Sequence, residues 1–406
     1  MRKYSYHKTG LNLFLISAFT YISFSLYGPF LSSYYSKAGI SAVEIGILLT
    51  LGPVSSILVQ PIWAILSDRT GKRKAVLAFV VLGSAISVLS YYLGKTFFTF
   101  FIASTLLAVF SNAIVPLSDA ILLRSAQKNK LDFSKIRMGG TIGYAIFVIF
   151  AGIIIKHNSE LAFLMGFAGF MILFLMVILL PRSESDDTAH NKLSPDITLV
   201  PKNKKSLLHI FDSKEIYFLL AFAFISQVGL SFNFSFLGVY MLDMGLTEGT
   251  IGLTNSIAAF TELPILFLMN RILKRVSVSR VTVIACLLLA LRIITITGEN
   301  LYFVIISQAL HGITFMSIYF SCAVFISQNV KQENQSKGQS ILALVQTGIG
   351  SIVGNILGGY LVDGYGLKSA YVMMSIFIII GAGFIALIQF INHKRQKLSK
   401  NEAYHP

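Results

Sequence analysis

The sequence predicts an all-α membrane protein: twelve transmembrane helices in two pseudo-symmetric six-helix bundles. Three observations carry this: few charges, long apolar runs, and the sides on which the basic residues fall. Of 406 residues, 55% are apolar and only 13% are charged, roughly half the charged share of soluble domains. The mean hydropathy is +0.73. So few charges cannot keep a soluble surface wet, which excludes a soluble enzyme, a disordered chain and a disulfide scaffold. A net charge of +15 would suit a nucleic-acid binder only if the basic residues shared one exposed patch.

A membrane-crossing helix needs about 20 mostly apolar residues. Twelve runs qualify: 11–36, 43–66, 75–94, 97–123, 137–156, 160–181, 215–241, 249–270, 281–298, 301–326, 338–362 and 368–391. The first is long and lacks a small-residue cleavage site, so it reads as a span and not a signal. Cys286 and Cys322 lie inside spans and read as packing residues, not as a disulfide. Of the 33 Lys and Arg, 28 fall in the two tails and the loops on the same side, four (Lys37, Lys95, Lys156, Lys368) fall opposite, and Arg292 stands inside a span. That bias predicts a multi-pass protein of the cell (inner) membrane with both termini cytoplasmic. The net charge then reports topology, and nucleic acid drops out as a partner.

Residues 182–214 are polar, include the run Lys202-Asn203-Lys204-Lys205 and lack helical periodicity. They read as a cytoplasmic linker, with a lipid-binding role for the lysines as the alternative. The linker separates an N-terminal bundle (1–181) from a C-terminal bundle (215–391), followed by a cytoplasmic tail (392–406). Basic loops after span two and span eight echo one another, as in carriers that rock about a midplane site.

The sharpest local motif runs from Ala64 to Lys74, with Ser67-Asp68-Arg69-Thr70-Gly71-Lys72-Arg73 at its centre. A carboxylate at a helix end, a glycine for the turn and a basic cluster make a charged latch of Asp68, Arg69, Gly71, Lys72 and Arg73. The bland alternative is a loop that only sets topology.

Ionisable groups in hydrocarbon are costly and mark function by default. Glu262, Arg292 and His311 fall within about 5 Å of their span centres at the helical rise of 1.5 Å per residue. They can pair across a cavity and carry a proton; a purely structural ion pair is the alternative. Asp119 lies about 12 Å to the cytoplasmic side of its span centre, and Arg137 opens the next span. Facing one cavity, they would offer acceptors and a donor fork to a hydroxylated solute. Tyr144, two turns beyond Arg137, would supply an aromatic platform or else ordinary packing.

Gly350, Gly354 and Gly358 recur every four residues, as do Gly139 and Gly143, a spacing that lets helices approach closely. Pro29, Pro53, Pro61, Pro116 and Pro264 permit bends. His7, His209 and His393 lie in polar segments and read as solvated. There is no Gly-x-x-x-x-Gly-Lys-Ser/Thr run and no Cys/His cluster at metal spacing. No cofactor or metal is expected; a proton gradient would be the driving force.

With these residues placed, the chain resembles the lactose permease-like branch of the major facilitator superfamily, which includes proton symporters of oligosaccharides, nucleosides and phenylpropionate. Tyr27-Gly28-Pro29-Phe30, Gln60-Pro61 through Lys74, Asn112-Ala113 and Pro116-x-x-Asp119 carry the likeness. The resemblance implies that Asp119 and Arg137 bind the solute, that Tyr144 stands at the permease's stacking tryptophan, and that Asn112 and Tyr27 join the site. It also implies coupling roles for Glu262, Arg292 and His311. Thr314 and Gln308 depart from the permease, where a glutamate and a lysine stand, so lactose itself is disfavoured, and Glu262 is the first choice of proton carrier and Asp119 the second.

The resulting expectation is a non-enzymatic, monomeric carrier that takes up a small polar organic solute with protons by alternating access. The alternatives are a proton antiporter exporting hydrophobic or aromatic compounds, and a membrane sensor without turnover.

Overall fold

The computed structural model describes residues 2–181 and 214–402, and among them there is no strand. Among the described residues twelve helices are long and apolar enough to cross a membrane: α1 (Thr9–Lys37), α2 (Ala42–Thr70), α3 (Arg73–Tyr92), α4 (Phe97–Lys128), α5 (Phe133–Ile155), α6 (Leu161–Leu179), α7 (Glu215–Asp243), α8 (Glu248–Leu273), α9 (Val278–Gly298), α10 (Leu301–Asn329), α11 (Gln335–Tyr365) and α12 (Leu367–Asn392). Each overlaps the run read from the sequence. Large apolar side chains such as Phe79, Ile86, Leu93, Phe98 and Leu179 stand outward, more than half exposed, as a hydrocarbon-facing surface requires. The linker read over 182–214 lies outside the described residues but for its last position, and so do His209 and tail residues 403–406.

Local chemistry sets the helix ends. Ser41 caps α2 and forms a reciprocal box with Glu44, whose amide donates to the Ser41 hydroxyl at 3.3 Å while Glu44 Oε2 accepts from the Ser41 amide at 3.0 Å. The C-terminal end of α2 is closed by Gly71 at φ +65°, a left-handed conformation open to glycine at little cost. Five spans are interrupted, α1 at Leu26–Phe30 and α10 at Leu310 among them. Helix α2 breaks at Val59, α4 breaks at Asn112–Ala113, and α11 is wound as a π-helix over Leu344–Gly350.

Contacts divide the described residues into two units. The first draws on Met1–Pro195, Phe234–Phe260 and Asn355–Asp363; the second on Asp196–Asn233, Thr261–Gly354 and Gly364–Pro406. The first unit therefore gathers α1–α6 with one end each of α7, α8 and α11. In it α1 packs most extensively on α5 and α6, and Gly139 and Gly143 bring α5 against the Phe14 and Ala18 carbonyls of α1. An aromatic cluster of Tyr34, Tyr35, Tyr91, Phe100 and Phe163 closes the end away from the termini. Its buried hydroxyls satisfy each other, Tyr35 and Tyr91 both bonding Ser104.

At this end two helix crossings repeat the same design. Where α2 meets α11, a side chain on Gly46 would collide with the Asn355 carbonyl, and one on Gly359 would lie 2.6 Å from the Ala42 carbonyl. Where α5 meets α8, Gly152 faces the Glu248 carbonyl and Gly252 the Val148 carbonyl equally closely. A carboxylate tops each crossing. Asp363 accepts from the Ala42 and Val43 amides at the α2 N-terminus, both at 2.9 Å, where the helix dipole favours an anion. Glu248, 3% exposed, accepts from Lys37 and, at 3.1 Å, from the Ser159 hydroxyl. Lys95 at the same end is paired with Glu160 at 2.6 Å.

In the second unit α9 packs on α10 and α12. Gly350 and Gly354 seat α11 against Gln227 and the Val228 carbonyl of α7, and Gly312 seats α10 against the Thr261 carbonyl of α8. Lys368 pairs with Glu299 at 2.9 Å.

Candidate functional site

The first unit brings Asp119 and Arg137 together. Arg137 sits in the first turn and a half of α5 and its Nε donates to Asp119 Oδ2 at 3.2 Å across 18 residues. The side chains are 34% and 30% exposed, so the pair is reachable and not sealed in a core. The sequence reading missed a third member. Tyr21 of α1 accepts from Arg137 Nη2 through its hydroxyl, and the guanidinium carbon lies 4.2 Å from the ring centroid. A cation over a tyrosine face is attracted by the ring quadrupole.

Tyr27 and Asn112 make other contacts. Tyr27 is 4% exposed and packs against Phe24 and Phe170, an aromatic core position. Asn112 donates to the Gly52 carbonyl at 3.2 Å and the Ala108 carbonyl at 3.0 Å. With Ser55 to the Ala108 carbonyl and Trp63 Nε1 to the Val109 carbonyl, it stitches the break in α4 to the break in α2. Bent helices free carbonyls, and side chains satisfy them. Tyr144 is half-buried on α5.

Within the latch motif Asp68 pairs with Arg73 at 3.2 Å and Arg69 is exposed. The Lys72 amide donates to the Thr70 hydroxyl at 3.3 Å. Lys74, at the motif's end, donates to the Ile178 carbonyl at 2.6 Å and to the Leu180 carbonyl. This cation covers the open C-terminal end of α6, where carbonyls lack partners and the dipole favours positive charge.

The second unit separates what the sequence grouped. Glu262 Oε1 meets His311 Nε2 at 3.0 Å, with the side chains 23% and 20% exposed, and the imidazole stacks on Phe315. Arg292, 2% exposed, points its fork into α10: Nε donates to the Ser307 carbonyl at 3.0 Å, Nη1 to the Thr314 hydroxyl at 3.3 Å and Nη2 to Gln308 Oε1 at 2.6 Å. Gln308 and Thr314, which depart from the permease pattern, are thus the neutral acceptors of a buried guanidinium. Arg292→Lys keeps the charge but cannot reach three acceptors in three directions. Losing buried bonds of this kind costs about 2 kcal/mol; the expected result is a melting temperature in detergent lower by several degrees, and an unchanged one would refute the fork's structural role.

A further polar contact lies at similar depth: Gln227 of α7 donates to Ser231 and Ser351, both at 3.1 Å. Neither this contact nor Tyr21 carries a charge in a span, so neither stands out in the sequence as an intramembrane ion does. Among the described residues no group of His, Cys, Asp and Glu could hold a metal ion.

Twelve helical spans holding paired charges at membrane depth define a multi-pass membrane protein of the solute-transporter class. The chain matches the profile of the MFS_1 like family over residues 10–373 and belongs to that family; it is a major facilitator transporter, not an enzyme. It is 25% identical to the maltose permease of Geobacillus stearothermophilus over 397 residues, 97% of each chain. It is 20% identical to the lactose permease of Citrobacter freundii, covering 86% of this chain and 87% of that one. Its fold is similar to that of the nucleoside transporter NupG (D323A mutant), with a TM-score of 0.82, 17% identity, and coverage of 93% and 99%.

Proposed function

We propose that this transporter takes up a sugar or nucleoside with protons, by alternating access across the cytoplasmic membrane, with both termini and residues 182–214 on the cytoplasmic side and 1–181 and 215–391 as its two bundles. The observation that carries the reading is the accessible Asp119–Arg137 pair at membrane depth. A carboxylate and a guanidinium side by side accept from and donate to the hydroxyls of one neutral solute, and permeases and a nucleoside transporter among its relatives support that class.

Glu262 and His311 carry the proton in this reading. Among the described residues His311 Nδ1 is buried without a hydrogen-bond partner. The contact is therefore complete with Glu262 ionised and a neutral imidazole donating from Nε2. A proton arriving on Glu262 removes the charge from the acceptor and turns a charge-assisted bond into a neutral one of about half the strength. Protonation thus loosens the contact between α8 and α10, and that loosening links proton binding to rearrangement. No cofactor is involved, and the protein acts as a monomer in the bilayer.

The test is reconstitution into liposomes with labelled sugars, nucleosides and aromatic acids, recording uptake and proton current together. Uptake of a sugar or nucleoside with inward proton current is expected. Current opposite to solute flux would mean antiport, and no flux of any solute would mean a sensor. Asp119→Ala should weaken solute binding by about 100-fold, the scale of losing charge-assisted bonds; unaltered binding removes the pair from recognition.

A further inference from the structure

We propose that Tyr21 is a built-in occupant of the solute site, its hydroxyl standing where a solute hydroxyl must go. The inference rests on the reading of Asp119 and Arg137 as the solute pair. In the structure the Arg137 fork is already engaged on two sides, by Asp119 through Nε and by the Tyr21 hydroxyl through Nη2. The same ring lies beneath the guanidinium at 4.2 Å, so Tyr21 fixes the plane of the fork as well as one of its donors. A neutral phenol is chemically what a hydroxylated solute offers: an oxygen acceptor on a flat or puckered ring.

The backbone is cut to admit that ring. Gly140 lies one turn past Arg137; a side chain there would collide with the edge of Tyr21 and sit 3.1 Å from Arg137 Nη1. Helix α5 thus leaves open the space the tyrosine fills. Arg137 and Asp119 nevertheless remain about one-third exposed, so the tyrosine occupies the site without sealing it. A solute hydroxyl that displaces the Tyr21 hydroxyl restores the same bond to Arg137, whereas a ligand lacking an acceptor does not. Tyr21 therefore sets affinity and rejects apolar ligands.

The sign of the effect separates this role from that of an ordinary contact residue. With the solute bound the Tyr21 hydroxyl has already been displaced, so Tyr21→Phe destabilises only the unloaded state. Binding of labelled maltose and uridine to the purified full chain should tighten about tenfold for whichever probe binds the wild type, the scale of one hydrogen bond to a charged group. Independently of solute, the arginine reagent phenylglyoxal should modify Arg137 faster in Tyr21→Phe, read by mass spectrometry of the Arg137 peptide. Gly140→Ala, which crowds the ring from the other side, should also speed modification.

Faster modification with tighter binding supports the proposal. Unchanged modification overturns it, as does binding that is unchanged or weaker in Tyr21→Phe. If neither probe binds any variant while modification quickens, the sugar-or-nucleoside reading fails and the hold of Tyr21 on Arg137 stands.

Discussion

Glu262→Gln is expected to abolish proton-driven accumulation while leaving solute exchange across the membrane intact. Glutamine is nearly isosteric and can still bond His311, so the contact between α8 and α10 survives in shape. What is lost is the choice between two protonation states. A carrier whose Glu262 cannot ionise is fixed in one of the two hydrogen-bonding arrangements and returns without exchanging a proton. Net uptake under an inward proton gradient should fall to the level of passive equilibration, and the rate should become flat with pH. Counterflow of labelled against unlabelled solute should persist. Full pH-driven accumulation in the variant would remove Glu262 from coupling.

The second large effect is expected at the end of the helices away from the termini. Gly252 lies so close to the Val148 carbonyl that no side chain fits, and Gly252→Leu must drive α5 and α8 apart. Overpacking of this size costs about 1–3 kcal/mol, enough to shift an open–closed equilibrium by about tenfold or more. Separation also pulls Glu248 from Lys37 and Ser159. A cysteine at Ser33, which is 1% exposed in this state, should react with an external maleimide about ten times faster in the Gly252→Leu background. The natural Cys286 and Cys322 are buried and leave a low background. Asp363→Asn should act in the same direction but more weakly, by a few-fold, since it removes only the charge at the α2 N-terminus. Unchanged labelling in both would show that these crossings do not hold that end closed.

Twelve spans were legible because the hydrocarbon imposes one length and one composition on every crossing helix. Glu262 and His311 were legible for the same reason: a charge inside a span is conspicuous. Their pairing was not, because depth along a helix says nothing of direction around it. Arg292 shares the depth of Glu262 yet turns to Gln308 and Thr314. Asn112 answers a second kind of demand inside a span. An amide in a span resembles a ligand group, but helix breaks create their own demand for donors, and Asn112 meets it. The glycines at Gly46, Gly152, Gly252 and Gly359 form no four-residue stripe on any one helix. They answer each other across helices distant in sequence, as Tyr21 answers Arg137 across 116 residues.

The π-helical turn in α11 has a bearing on phase. A π segment holds an additional residue in its turn and so absorbs an angular offset that an α-helix would pass on. Residues beyond Gly350 carry their angular phase along α11 from Leu344–Gly350, and among them Asp363 accepts from the Ala42 amide. Were those seven residues to rewind as plain α-helix, everything downstream would rotate about the axis by on the order of 100°, one residue's turn. Asp363 would swing away from Ala42 and Val43 with no break in the chain and no change in the α2 cap. The carboxylate at one end of α11 is thus geared to the winding of its middle, so that a twist there becomes a displacement about four turns away.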